Sequence, residues 1–85
     1  MTKKQMHQEI NEQMYRFMNE FYPQYQEYDE MGGRISYING NSKNSIEYHQ
    51  SRHDVFTLNN ASEECKHDCN VIELFLMGVL QGYDL

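Results

Sequence analysis

The chain has 85 residues, thirteen Asp and Glu against seven Lys and Arg, and a formal charge of −6. A chain of that length forms one domain, residues 1–85, and buries only about 60 to 65% of its unfolded surface, so a deep, water-excluding active site is hard to build. The acidic balance argues against direct binding of nucleic acid or of an anionic membrane and favours basic protein surfaces, while charge of this kind also keeps small proteins soluble.

The first segment reads as a helix. Met6, Ile10, Met14, Phe17, Met18 and Phe21 fall on one stripe, the spacing of an amphipathic helix. Thr2 and Gln5 have the form of a capping box, and Pro23 ends the helix near Phe21 or Tyr22. Residues 22–33 read as a polar, acidic connection. Its Tyr22, Tyr25 and Tyr28 are spaced for one side of a short helical turn, and Gly32 and Gly33 break any helix before the sheet begins. Ile35, Tyr37, Ile46 and Tyr48 have the alternation of a hairpin, with turn residues from Asn39 to Asn44 between the strands. A third strand, Val55 to Leu58, follows a bend around Ser51 to Asp54. A second helix starts near Asn60, whose side chain caps it with Glu63 three residues on. It carries Cys65, Cys69, Ile72, Leu76, Val79 and Tyr83 on one stripe and ends at Gly82. The expected fold is α+β: a helix, a three-stranded antiparallel sheet and a helix.

No continuous apolar stretch follows Lys3 and Lys4, and the longest apolar run, Leu74 to Leu80, is broken by Gly78. That is far short of the roughly 20 residues that span a bilayer. The expectation is a cytoplasmic protein without a membrane partner, in which Cys65 and Cys69 are reduced thiols. The Asn60-Ala61-Ser62 sequon is discounted for the same reason.

Four constellations bear on chemistry. His49, His53, Cys65 and Cys69 make a tetrahedral zinc set by residue type. On an extended strand the two histidines stand roughly 13 Å apart, and the competing reading makes the cysteines small core residues. No phosphate loop, nucleophile elbow or metalloprotease signature is present, so neither an enzyme nor a cofactor is expected. The stretch Val71 to Leu80 is apolar almost all round, so Val71, Leu74, Phe75 and Met77 are candidates for joining a structural or regulatory homodimer. Glu27, Asp29, Glu30, Glu47, Glu63, Glu64 and Asp68 are the candidates for meeting a basic partner. Tyr25, Tyr28 and Tyr48 would be amphipathic anchors beside them.

The order helix, three strands, helix is also that of the double-stranded-RNA-binding domain. That domain grips phosphates with lysines at the start of its last helix. Here the same place reads Ala61-Ser62-Glu63-Glu64-Cys65, with the charge inverted. In size, acidity and layout the chain resembles certain anti-CRISPR inhibitors of Cas9, small phage-encoded proteins with a helix, a three-stranded sheet and a helical end. The resemblance rests on topology and charge, with no shared motif. It implies occlusion: an inhibitor filling the basic groove of a host nucleic-acid-binding protein, such as a Cas nuclease, so that DNA cannot enter.

Overall fold

The computed structural model describes residues 1–51, 53–60 and 63–85; the side chains of Glu27, Asn60 and Glu64 fall outside that description. Helix α1 spans Lys3–Phe21. The capping box forms as the sequence predicts: Gln5 donates its backbone N–H to the Thr2 hydroxyl at 3.1 Å, and Thr2 donates to the Gln5 side-chain oxygen at 2.8 Å. Ile10, Met14 and Met18 are buried. Phe21, last on the predicted stripe, is exposed, and the helix stops there, two residues before Pro23.

The sheet has four strands, one more than the sequence predicts. β1 is Glu27–Met31, β2 Arg34–Ile38, β3 Ser45–Gln50 and β4 Phe56–Asn60, paired antiparallel in the order β1-β2-β3-β4. The extra strand, β1, lies in the segment read as a connection. Gly32 and Gly33 do not merely interrupt a helix: they are the two-residue turn of the β1–β2 hairpin, closing the pair Met31 and Arg34. Gly32 has a positive φ of 60°, which glycine adopts freely. At Gly33 a methyl group would collide with the Gln50 carbonyl oxygen.

Residues directly opposite in an antiparallel pair share a face, so the register sorts the side chains. Tyr28, Ile35, Tyr37, Ile46, Tyr48, Phe56 and Leu58 lie on one face. The helices cover it, leaving Ile46 and Tyr48 at 0% exposure. Burying an aliphatic side chain of this kind contributes roughly 1.5–3 kcal/mol.

After β4 the chain makes a 3-10 turn at Glu63–Cys65 and enters α2, Lys66–Gln81. Asn60 is therefore the last residue of β4, paired with Ile46, and not a helix cap. The residue before α2 is Cys65, which makes no side-chain cap. Cys69, Ile72, Leu76 and Val79 face the core, and Gly82 follows the helix as predicted. α2 runs antiparallel to α1: Phe75 stacks on Phe17 with ring centroids 4.0 Å apart, and one end of α2 reaches back where the Tyr83 hydroxyl donates to Glu9 at 2.6 Å. Among the described residues no helix is long and apolar enough to cross a membrane.

Candidate protein-binding surface

Among the described residues no helix covers the second face of the sheet. Its residues are Asp29 and Met31 on β1, Arg34, Ser36 and Ile38 on β2, Ser45, Glu47 and His49 on β3, and Thr57 and Asn59 on β4. The register aligns Asp29, Ser36, Glu47 and Asn59 in a row across the four strands. Two strand spacings separate Asp29 from Glu47, about 9.6 Å. His49 lies beyond Glu47 on β3, with its Nε2 3.2 Å from the Glu47 carboxylate. Glu27 opens β1 opposite Ile38.

The other predicted acids are placed elsewhere. Glu30 sits opposite Ile35, on the helix side of the sheet, at an exposed edge where it accepts a bond from the Tyr28 hydroxyl at 3.2 Å. Glu63 is exposed in the 3-10 turn. Asp68, in the first turn of α2, is half-buried and accepts from the Tyr25 hydroxyl at 3.0 Å. Asp29, Glu30, Glu47, Glu63 and Asp68 therefore do not make one continuous row, and the side chains of Glu27 and Glu64 lie outside the described residues. Asp29 and Glu47 share the open face, and Asp68 is occupied by a bond that fastens α2.

Two of the three predicted tyrosine anchors are corrected. Tyr48 is fully buried, because its strand position faces the helices. Tyr25 is 7% exposed. Its hydroxyl contacts both Asp68 and the Cys65 sulfur, at 3.4 Å. Burial first, then the bonds to Cys65 and Asp68, push its phenol far above the usual range. Tyr28 is half-exposed and alone of the three remains available. Nor do Tyr22, Tyr25 and Tyr28 share a helical turn, since Tyr28 belongs to β1.

The predicted zinc set is dispersed. His49 points from the uncovered face, whereas Cys65 and Cys69 are buried on the helix side, 2% and 3% exposed. His53 is exposed in the β3–β4 loop. That loop meets the start of α1 through His7 and Asp54, whereas Cys65 meets Tyr25, beyond the end of α1. Among the described residues no group of three or more His, Cys, Asp or Glu is placed to hold a metal ion.

Sequence reasoning missed the pair His7 and Asp54, Nε2 to Oδ1 at 2.8 Å, joined by Lys3 at 3.3 Å. Forty-seven residues separate the two partners, and nothing local in the chain announces the contact. It ties α1 to the β3–β4 loop, where Asp54 takes a positive φ of 60°. Beside it lies an open cleft of about 680 Å³, lined by residues that include Lys3, Lys4, His7, Glu30 and Gln50. Its mixed charge is that of a solvated surface groove.

The predicted homodimer residues divide. Leu74 is 69% exposed and Met77 53%, and Val71 is also exposed. Phe75 is half-buried against Phe17, so it belongs first to the contact between the helices.

No protein-family model matches the chain, and no curated protein and no solved structure matches it either.

Proposed function

We propose that the chain is a non-enzymatic inhibitor that works by binding: its open sheet face occupies a basic, nucleic-acid-binding groove of another protein. The observation that carries this reading is the alignment of Asp29 and Glu47 on the one sheet face that the helices leave uncovered, in a chain of charge −6. Strands hold the backbone of both acids, so little backbone freedom is lost when they meet Lys or Arg, and the surrounding negative field speeds encounter with a basic surface. An anti-CRISPR-type blocker acting on a Cas nuclease in the host cytoplasm is one form of this function. The fourth strand departs from the three-stranded layout that prompted that comparison.

The test is displacement. The immobilised chain is passed over bacterial lysate and eluted with a DNA duplex at low salt. The expected result is release of a nucleic-acid-binding protein by duplex, and loss of its retention when Asp29→Lys and Glu47→Lys are combined. Equal retention by the double variant removes the open face as the interface.

A second reading has its own observation, the exposure of Leu74 and Met77 on α2. It is a homodimer joined through that helix. Mass in solution reads it directly, with Leu74→Gln expected to release monomer from any dimer.

A further inference from the structure

We propose that the hollow walled by Tyr15, Tyr25, Tyr28 and Tyr37 is a binding site for an organic cation, filled by the ammonium end of a lysine side chain from the basic partner. The hollow has a volume of about 110 Å³, the share of liquid volume of roughly four waters. That suits an alkylammonium head and the last methylenes behind it, and is too small for most cofactors. Four elements build it: α1 supplies Tyr15, the following loop Tyr25, β1 Tyr28 and β2 Tyr37.

The rings form walls, not a stack. Tyr15 and Tyr28 meet at 90° with centroids 5.6 Å apart, and Tyr28 and Tyr37 at 68° and 5.7 Å. Ring faces carry the negative part of the aromatic quadrupole, and a cation enclosed by several of them gains from each. Tyr15 and Tyr28 are 52% and 45% exposed, so the outer wall is open to a ligand. Tyr37 is the inner wall, and its buried hydroxyl has no hydrogen-bond partner among the described residues. A buried hydroxyl is normally bonded; this one is sealed from solvent, so a cation in the hollow meets the Tyr37 ring and not its oxygen. Asn19 and Gln26 also line the hollow, and their side-chain oxygens can accept the ammonium N–H groups.

Charge points the same way. Among the described residues no Lys, Arg or His lines this hollow. Arg16 borders a separate hollow of about 200 Å³ that shares Tyr15 and Tyr28. Glu30, bonded to the Tyr28 hydroxyl, places a carboxylate behind the outer wall. Burial raises the phenols of Tyr28 and Tyr37, so both stay neutral donors or acceptors near neutral pH. This inference rests on the proposed basic partner for the source of the cation: Tyr28 and Tyr37 lie on the sheet face opposite Asp29 and Glu47, so the lysine reaches the hollow around the β1 edge, and the chemistry of the hollow is read without that partner.

The experiment is an NMR titration of the whole chain, following tyrosine ring signals. The probes are N-acetyl-lysine methylamide, tetramethylammonium, and the neutral N-acetyl-norleucine methylamide. Saturable shifts at Tyr15, Tyr28 and Tyr37 with the cations, and at least tenfold weaker binding of the norleucine compound, are expected. Tyr15→Leu and Tyr28→Leu should each weaken lysine binding by about tenfold. Tyr37→Phe, which keeps the ring and removes a hydroxyl sealed from the hollow, should leave lysine binding unchanged. No saturable shift with either cation, or equal binding of the neutral compound, overturns the proposal. Both comparisons are made on the native chain, so they hold even where a variant fails to fold. Tighter binding of the lysine derivative than of tetramethylammonium identifies a side chain as the source; the reverse order identifies a free quaternary amine and leaves the cation site standing. Failure of duplex displacement with lysine binding intact removes the open-face reading alone.

Discussion

On β3, Ile46 and Tyr48 are fully buried, while Glu47 and His49, their immediate neighbours in the chain, bond to each other on the uncovered side. The same six residues thus carry two unrelated sets of constraints. On the covered face each side chain is fitted between Ile10, Met14, Ile72 and the neighbouring strands, and shape decides what is tolerated. On the open face the register fixes position while solvent leaves residue type nearly free. A sheet covered on one side can therefore change what it binds without disturbing what holds it together.

The contrast is broken most directly from the inside. Ile46→Ala should lower unfolding free energy by about 2–5 kcal/mol, measured by denaturant titration. Gly33→Ala comes next. The added methyl meets the Gln50 carbonyl where β2 begins and β3 ends, and a cost of about 1–3 kcal/mol is expected. On the open face the prediction is near silence: Asp29→Lys with Glu47→Lys should change stability by no more than about 0.5 kcal/mol while abolishing partner retention. A stability loss like that of Ile46→Ala would show that the open face is structural and would dissolve the comparison.

The mildest test is by pH. The bond from His7, with Lys3 adding to it, holds the Asp54 carboxyl below its ordinary value. A carboxylate with a lowered folded pKa stabilises the fold above the unfolded value, about 3.9, and loses that effect as pH falls through the folded one. Asp54→Asn should therefore be less stable than the native chain at pH 6, with the gap closing below about pH 4. Asn tolerates the positive φ at this position, so the difference reports the charge and not the backbone.

The buried periodicities were legible. The stripe of α1, the alternation of β2 and β3, and the cysteine-to-valine stripe of α2 all depend on a core face, and a core face writes itself in apolar spacing. β1 was not legible in that way. Glu27-Tyr28-Asp29-Glu30-Met31 is an edge strand, held by the backbone of one neighbour, and its exposed charges are what edges carry to resist unwanted pairing. The available signal was the Gly32-Gly33 pair, a two-residue hairpin turn that reads equally as a helix breaker. The candidate site was legible only in part. Sequence identifies Asp29 and Glu47 as acids, but that they share a row follows from a register that includes the unseen strand. Tyr25 and Tyr48 looked like anchors because a tyrosine's position along the chain does not reveal whether its ring is covered. The gathering of Tyr15 with Tyr28 and Tyr37 needs the crossing of α1 over the sheet, which no local pattern encodes.

Cys65 and Cys69 are both buried and neither forms a disulfide. A thiol-alkylating reagent reaches them only after the start of α2 opens from the core, so the rate of modification times that opening. With fast reclosing, the rate divided by that of an unstructured peptide thiol gives the free energy of the local opening; if it matches global unfolding, α2 detaches only when the whole domain does. The two core thiols thus act as a built-in clock for the cooperativity of the smallest unit this chain can form.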